Sequence, residues 1–482
     1  MDEDTKNKEL KQKTVVSAFS LFFQSGFSAV LGLVANLVLT ILLAPAVFGI
    51  YITVLSLISL LNYFSDIGLA ASLVQKHEVS SEDISTTFTV QQTLIISIIS
   101  IGFLFTNFVT NFYKLPPAGV HLYWALLLSF FISSLKTIPS ILLERKIQFQ
   151  KIAFVQITEN VVFYIAVVVF AILNYNLASF TYAVILRALT GLILIYTISF
   201  WKPTIGISKA SLKKLLSFGI PFQASSFLAL FKDDLIILFL SKVLGFSVVG
   251  YIGWAKKWAE TPIRVIMDNL SRVLFPVIAR IQNDHEKVSR LIEKILYYQT
   301  MLLAPAIFGL FMTMPVLVEL IPKYSKWAPA LPLFYIFCVA AFFSSYSTPF
   351  MNLFNALGKV KISFAFMLFW TVTTWILTPF FTTMFGMIGF PITQLLLAVS
   401  SIMVIWRAKK LVKFRFIHSV NKPLFATAAM VLFIYTIMRI MPVTSISLGV
   451  SIIGGGVLYL GILLFVFRIN PATELKSLFN NE

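Results

Sequence analysis

Long apolar runs recur along the whole chain of 482 residues. A run of about 20 apolar residues is the length an α-helix needs to cross the hydrocarbon core of a bilayer. Windows of this length predict fourteen membrane spans, near residues 16–42, 47–69, 87–110, 120–143, 153–173, 177–200, 215–240, 247–278, 291–320, 328–355, 360–384, 386–407, 421–440 and 446–467. A transmembrane β-barrel would instead show strictly alternating segments of about ten residues. The sequence therefore predicts an all-α polytopic membrane protein.

The positions of lysine and arginine predict the orientation of these spans. The formal net charge is +18, yet 26 of the 38 basic residues fall on loops and ends that share a side with the N-terminus. Basic loops stay in the cytoplasm, so both termini are predicted to be cytoplasmic and the number of spans even. The basic excess is thus mainly a topology signal, and it does not indicate nucleic-acid binding.

Two halves of the chain can be aligned. APAVFGIY (44–51) matches GFSVVGYI (245–252) at an offset of 201 residues, and PSILLERKIQFQKIAF (139–154) matches PFMNLFNALGKVKISF (349–364) at an offset of 210. Repeats of this kind build many transporters, with the substrate site near the repeat interface. The predicted organisation is a cytoplasmic segment, a six-helix N-lobe, a linker, a six-helix C-lobe, and a terminal helix pair with its tail, at residues 1–15, 16–200, 201–214, 215–412 and 413–482.

Three stretches carry a resemblance to a known family. FGIYITVLSLISLLNYFSDIGLAASLVQ (48–75), LIILFLSKVLGFSVVGYIGWAKKWAETP (235–262) after Asp234, and FPVIARIQND (275–284) resemble the polysaccharide transporters of the multidrug/oligosaccharidyl-lipid/polysaccharide exporter superfamily. The likeness runs from about residue 16 to 412. It implies two pseudo-repeated six-helix lobes around a central cavity, as in the multidrug exporters of the superfamily. It also implies flipping of polyprenyl-diphosphate-linked oligosaccharide, as in O-antigen, lipopolysaccharide and teichuronic-acid export.

Charged residues at four-residue spacing mark the eighth span. They share one helix face and alternate in sign: Lys256, Glu260, Arg264, Asp268 and Arg272. This stripe is either a self-neutralising ladder against a neighbouring helix or the wall of a hydrated cavity. In the second interpretation Arg264 and Arg272 bind the diphosphate, because a guanidinium can donate two parallel hydrogen bonds to it.

Three adjacent charges interrupt the seventh span, although charge at a helix centre in a bilayer is costly. Lys232, Asp233 and Asp234 point about 100° apart around the helix, so one face cannot hold all three. We expect Asp234, at the position matching the family, to face the cavity, with Lys232 as a further cavity candidate. Lys232 and Asp233 are expected to pair with the eighth span, and Asp233 is also a gate or coupling candidate.

The N-lobe spans add four charged residues. Arg187 lies near the middle of its span and is the best anion-binding candidate among them. Asp66, Lys136 and Glu159 lie near the cytoplasmic ends and are gate or coupling candidates. With six acids against seven bases in the spans, carboxylates remain available for coupling to H⁺ or Na⁺.

Chemical signatures of an enzyme are lacking in the sequence. It contains no phosphate-binding glycine loop followed by Lys-Ser/Thr, and its four histidines lack metal-ligand spacing. We therefore predict no cofactor and no metal site, and a secondary transporter whose partners are the lipid-linked oligosaccharide, membrane lipids and the polysaccharide polymerase machinery. Two alternatives stay open. One is a multidrug or organic-cation antiporter of the same superfamily, and the other is a membrane glycan polymerase or ligase, which the short loops disfavour.

Overall fold

The computed structural model describes residues 3–76 and 78–468, with the backbone alone for some helical residues, mainly near the N-terminus and in the seventh and eighth spans. Its regular structure in this range is helical, as predicted. The α-helices are α1 (Glu3–Leu42), α2 (Pro45–Asp66), α3 (Leu69–Gln75), α4 (Ser81–Leu104), α5 (Thr106–Tyr113), α6 (Pro117–Ser134), α7 (Thr137–Arg145), α8 (Phe149–Ile172), α9 (Ala178–Ile198), α10 (Lys209–Leu244), α11 (Phe246–Ile281), α12 (His285–Leu320), α13 (Leu331–Ser345), α14 (Ser347–Ala356), α15 (Val360–Phe385), α16 (Gly389–Val399), α17 (Ser401–Lys409), α18 (Phe416–Ile440) and α19 (Ser445–Gly461). Short 3₁₀ segments precede α13 and α16, and a π-helical turn follows α19.

Eleven helical segments of the described chain are long and apolar enough to cross a membrane. One of them, Val360–Lys409, contains α15, α16 and α17. The helices α10 and α11, each of 36 residues, carry the charged residues of the seventh and eighth predicted spans and are not among the eleven. A multi-pass membrane protein is confirmed, and the count of fourteen spans stays a prediction.

The fourth and tenth predicted spans are each broken into two helices, α6 and α7 in one and α13 and α14 in the other. Each second helix ends in a turn with a left-handed residue, Ile147 (φ 54°) in the first and Gly358 (φ 69°) in the second. The residue after each turn donates its amide back to the helix, to the carbonyls of Leu143 and Phe354. The two turns are 211 residues apart, one more than the offset predicted from the proline and lysine matches.

The chain forms two compact units, residues 1–250 and 251–482. In the first unit α8 packs against α1 and α9, and α10 packs against α2, α3 and α4. In the second unit α12 packs against α18, and α18 against α19. The hydroxyl of Tyr459 on α19 donates to the carbonyl oxygen of Met301 on α12 at 2.7 Å, which fixes the terminal helices on α12.

The predicted linker, 201–214, lies along α4 within the first unit. The amide of Ser208 donates to Oγ1 of Thr86 at 2.9 Å, and Oγ of Ser211 donates to Oδ1 of Asp83 at 2.7 Å. These bonds connect the start of α10 to the start of α4. The linker is therefore a structured part of the first unit in this conformation.

Candidate functional site

Hydroxyl groups join α2 to α10 in what we call the α2–α10 seam. Oγ1 of Thr53 lies 2.7 Å from Oγ of Ser241, and Oγ of Ser59 donates to Oδ2 of Asp234 at 3.2 Å. The helices run in opposite directions, because Thr53 precedes Ser59 on α2 whereas Ser241 follows Asp234 on α10. Each of the two hydroxyls in the first pair also lies 2.7 Å from a backbone carbonyl oxygen one turn back in its own helix.

One end of α2 makes a reciprocal close contact with the first turn of α11. A Cβ atom on Gly49 would lie 2.5 Å from the carbonyl carbon of Phe246, and a Cβ atom on Gly250 would lie 2.7 Å from the carbonyl carbon of Pro45. Only glycine allows backbones to approach this closely. The offset of 201 residues predicted for the repeat relates Gly49 to Gly250 and also Pro45 to Phe246, so the two contacts are equivalent.

The other end of α2 makes a similar approach to α10. Gly68, with φ 75°, has its Cβ position 2.6 Å from the carbonyl carbon of Gly219. A side chain at Gly219 would in turn lie 2.7 Å from the carbonyl oxygen of Ile67. The backbone is therefore in close contact at both ends of α2.

A polar cavity of about 370 Å³ lies inside the first unit, and we call it the N-terminal cavity. It has an uncharged polar wall and a charged wall; the polar residues are Ser59, Asn62, Ser129 and Ser133, and the charged residues are Lys136, Glu159 and Arg187. A second cavity of about 390 Å³ shares Asn62, Phe130 and Ser133 with it. The structure thus brings together the N-lobe candidates Arg187, Lys136 and Glu159, which are far apart in sequence.

The charged residues of the N-terminal cavity differ in their pairing. Nζ of Lys136 pairs with Oε1 of Glu159, and the side chains are 17% and 8% exposed. Gly191 on α9 makes room for this pair, because its Cβ position is only 2.5 Å from Cδ of Glu159 and 2.8 Å from Nζ of Lys136. Arg187, one turn before Gly191, has no carboxylate within 4.0 Å in the described part of the chain and lies 5.7 Å from the Phe163 ring centroid. With two bases and one acid, the described lining of the cavity has a formal charge of +1.

An unused acceptor lies in the adjoining cavity. Nε2 of Gln91 is 3.5 Å from Oγ1 of Thr137, but its Oε1 is buried and has no hydrogen-bond partner among the residues described. A buried acceptor without a partner is costly unless water or a ligand donates to it. The adjoining cavity therefore offers an acceptor to a donor such as a sugar hydroxyl.

In the seventh span, Nζ of Lys232 pairs with Oδ1 of its neighbour Asp233 at 2.9 Å. The expected pairing of these two residues with the eighth span stays a prediction, because the side chains of Asp268 and Arg272 lie outside the described residues. Neighbouring side chains of this length can bend toward each other at the helix surface, and Asp233 is 53% exposed. Asp234 reaches Ser59, a cavity-lining residue, and so lies next to the N-terminal cavity.

The eighth span shows the start of the charge ladder. On α11, Glu260 lies 3.8 Å from Nζ of Lys256 and 3.1 Å from Nη2 of Arg264. The side chain of Arg264 remains 63% exposed despite this pair. The ladder interpretation and the anion-binding interpretation both fit this geometry. The side chains of Asp268 and Arg272, and that of Asp66 on α2, lie outside the described residues.

The uncharged lining of the cavities was not predicted. Ser59 and Asn62 are three residues apart on α2, and Ser129 and Ser133 are four apart on α6, so each pair shares a helix face. Polar pairs at this spacing in apolar helices are a signal that a search for charges passes over. Among the described residues, no three His, Cys, Asp or Glu side chains cluster as a metal site.

Comparisons with known proteins find relatives that act in polysaccharide biosynthesis. The lipopolysaccharide biosynthesis protein WzxC of Escherichia coli K12 is 27% identical over 371 residues, which are 75% of this chain and 74% of that protein. The succinoglycan biosynthesis transport protein ExoT of Rhizobium meliloti is 23% identical over 341 residues, 70% of this chain and 68% of that protein.

Solved structures show the same fold at low sequence identity. The lipid II flippase MurJ, in an inward closed conformation, matches with a TM-score of 0.75 over 94% of this chain and 99% of that one, at 14% identity. An inward-facing multidrug resistance MATE family transporter of the MOP superfamily matches with a TM-score of 0.55, over 81% of this chain and 95% of that one, also at 14% identity.

The family profile described as "Polysaccharide biosynthesis protein" matches residues 38–332. That range contains the α2–α10 seam, the N-terminal cavity and the whole of α11. The predicted resemblance to the polysaccharide transporters is confirmed by this match and by the two relatives. Since the profile covers more than half of its residues, the chain belongs to the polysaccharide biosynthesis protein family.

Proposed function

We propose that this protein is a flippase that moves polyprenyl-diphosphate-linked oligosaccharide across the cytoplasmic membrane during surface polysaccharide biosynthesis. Its family, its relatives in lipopolysaccharide and succinoglycan biosynthesis and its lipid II flippase-like fold support this function. The observation that carries the proposal is the N-terminal cavity, in which Arg187 has no carboxylate within 4.0 Å among the described residues. A membrane-embedded cation is costly unless it has an anionic partner.

The chemistry of the cavity suits both parts of such a substrate. Arg187 can hold a phosphate oxygen pair, since its planar guanidinium donates in a fork. Serine hydroxyls and the Asn62 amide can exchange hydrogen bonds with sugar hydroxyls, and Gln91 supplies a buried acceptor. The pairing of Lys136 with Glu159 leaves Arg187 as the cation with the freest donors.

We further propose the architecture and orientation predicted from the sequence. Fourteen spans would form two pseudo-repeated six-helix lobes around a central cavity, followed by a helix pair, with both termini cytoplasmic in a prokaryotic inner membrane. The matched turns at Ile147 and Gly358 and the reciprocal contacts of Gly49 and Gly250 support the repeat. Such a protein acts as a secondary transporter rather than an enzyme.

In this proposal, alternating access involves opening and closing of the contacts that α2 makes along the α2–α10 seam and at its two ends. The backbone is in close contact at both ends of α2, and transport would open one end at a time. The membrane potential supplies about 2.3 kcal/mol per charge per 100 mV for a diphosphate that leaves the cell interior. Asp234, Asp233, Glu159 and Asp66 are the carboxylates that H⁺ or Na⁺ coupling would use, and the polymerase machinery would receive the product.

The proposal is tested by reconstitution into liposomes with a short-chain polyprenyl-diphosphate oligosaccharide. We expect wild type to move this lipid to the opposite leaflet and Arg187→Ala to move it about 10- to 150-fold more slowly. This factor corresponds to the roughly 1.5–3 kcal/mol of a hydrogen bond to a charged group. Arg187→Lys should recover part of the rate because it keeps the charge.

A matched control removes an arginine elsewhere. Arg439→Ala, next to the Tyr435 ring on α18, should leave the rate unchanged. Equal rates for wild type and Arg187→Ala would show that the N-terminal cavity does not hold the diphosphate. Uptake of an organic cation without any lipid movement by wild type would favour the antiporter alternative.

A further inference from the structure

A groove separates two helices of the second unit. The side-chain Nε1 of Trp370 on α15 donates to Oγ of Ser400 at 2.8 Å, and Ser400 is the residue at which the helix breaks between α16 and α17. Beyond this break α17 packs against α14, whereas α15 packs along α16. Between α15 and α17 lies a groove of about 710 Å³, which we call the α15–α17 groove.

The α15–α17 groove has apolar walls and a cationic mouth. Its walls are formed mainly by large aromatic and aliphatic side chains, namely Ile362, Phe366, Phe369, Ile402, Met403 and Trp406. The mouth is formed by Lys361 and Arg407. Trp406 is 58% and Phe369 41% exposed, so both side chains leave apolar surface open, although Nζ of Lys410 lies over one face of the Trp406 ring, 3.4 Å from its centroid.

The depth of the groove matches one leaflet of a bilayer. Nine residues separate Lys361 from Trp370, which corresponds to about 14 Å along a helix. The hydrocarbon core of a bilayer is about 30 Å thick, so the groove begins at one surface and ends near the midplane. The groove opens at the cytoplasmic surface in the proposed topology, and this choice of surface rests on the proposed function.

The cations at the mouth have no acidic neighbours. The sequence contains no Asp or Glu between residues 320 and 473. Across the described ranges, neither Lys361 nor Arg407 has a carboxylate within 4.0 Å. Two uncompensated cations at the head of an apolar groove complement a ligand with an anionic head and a hydrocarbon chain.

We propose that the α15–α17 groove binds one anionic phospholipid of the cytoplasmic leaflet, with an acyl chain along the apolar walls and the phosphate between Lys361 and Arg407. The lining of the groove stops at Phe369 and Ile402, just before the bonded pair Trp370 and Ser400, so the groove offers contacts over one leaflet and suits an acyl chain better than a longer polyprenyl chain. This lipid site shares no lining residue with the N-terminal cavity.

Tryptophan fluorescence tests the site in the full-length protein. The protein is placed in phosphatidylcholine vesicles that contain a small fraction of one lipid brominated on its acyl chains, either phosphatidylglycerol or phosphatidylcholine. Bromine quenches the fluorescence of a tryptophan that it contacts. The signal from Trp406 is the part of this quenching that is lost in the Trp406→Phe variant. We expect brominated phosphatidylglycerol to quench this signal with about 30-fold higher relative affinity than brominated phosphatidylcholine. That factor is about 2 kcal/mol, from about 1 kcal/mol for each of the two charges.

A charge-matched pair of variants separates a site from general attraction. Lys361→Gln with Arg407→Gln should abolish the preference, whereas Lys409→Gln with Lys413→Gln removes the same charge from neighbouring positions and should retain it. Equal losses in both pairs, or no preference in wild type, would overturn the proposal. Displacement of the brominated lipid by a polyprenyl diphosphate more readily than by unlabelled phosphatidylglycerol would identify the substrate chain as the occupant and also overturn it.

These outcomes are independent of the flipping assay. A protein that binds the phospholipid but does not flip the oligosaccharide would retain the lipid site and lose the proposed function. A protein that flips the oligosaccharide without any preference for phosphatidylglycerol would retain the proposed function and lose the lipid site.

Discussion

Replacing Gly49 by alanine tests the reciprocal contact at the end of α2. The new methyl group would lie 2.5 Å from the carbonyl carbon of Phe246, whereas carbon atoms pack best at about 3.5–4.0 Å. The obstacle is backbone, which no side-chain rotation relieves, and the carbonyl oxygen of Phe246 lies nearer still, so α2 and the first turn of α11 must separate by more than about 1 Å. Overpacking of this kind costs about 1–3 kcal/mol, which lowers the ratio of closed to open molecules about 5- to 150-fold.

Disulfide formation across the α2–α10 seam reports the closed population. Thr53→Cys and Ser241→Cys, in a background with Cys338→Ala, place thiols where hydroxyls are now 2.7 Å apart. We expect Gly49→Ala to slow cross-linking by about the same factor as it lowers the closed population. Gly250→Ala should slow it equally, because the two contacts are equivalent.

The control is Gly26→Ala, whose methyl group meets no other atom within 4 Å. It should cross-link at the rate of the parent protein. If Gly49→Ala also cross-links at that rate while remaining folded, the close backbone approach at this end of α2 is absent and the reasoning fails.

Three further predictions concern other positions. Gly191→Ala should lower the thermal unfolding midpoint because its methyl group separates the ion pair of Lys136 and Glu159, at a cost of up to about 3 kcal/mol. The cost should be smaller in a Glu159→Gln background, where no ion pair exists, and an equal cost there would contradict this explanation. Arg264→Ala should slow flipping about tenfold with little change in the unfolding midpoint, because an exposed i,i+4 pair contributes only about 0.3–0.5 kcal/mol; unchanged flipping would leave the ladder interpretation. The pKa of Asp284 lies below its ordinary value because its carboxylate accepts a hydrogen bond from the backbone amide of Lys287 at the start of α12. The ionised carboxylate therefore stabilises the folded protein at any pH above the pKa that Asp284 has in the unfolded chain, and this stabilisation is lost as the pH falls through the pKa of the folded state. Asp284→Asn should therefore show a smaller loss of unfolding midpoint than wild type on acidification below about pH 4, and equal losses would refute this.

Hydropathy predicted where helices lie but not where they break. The predicted span 120–143 is continuous, whereas the structure ends α6 at Ser134 and begins α7 at Thr137. Likewise the span 386–407 divides at Ser400. A window average measures apolar content, and a break whose freed backbone groups are satisfied by nearby side chains leaves that content unchanged.

The site was predicted in part, and for a similar reason. Charges in apolar helices are conspicuous, so Arg187, Lys136 and Glu159 could be selected from the sequence as candidates. Their convergence depends on the packing of α8 against α9, which spacing within one helix does not encode. Gly191 has no side chain to attract notice, yet it provides the space for the ion pair.

The hydroxyls of the α2–α10 seam also determine what it costs to separate the two helices. A buried donor that loses its partner in a membrane normally costs free energy, which would make repeated opening slow. Thr53 and Ser241 avoid this cost, because the carbonyl oxygens of Gly49 and Ile237 lie 2.7 Å away in their own helices. A hydroxyl that stops donating across the seam can rotate to its own helix, so α2 and α10 can part and rejoin without stranding a hydrogen atom.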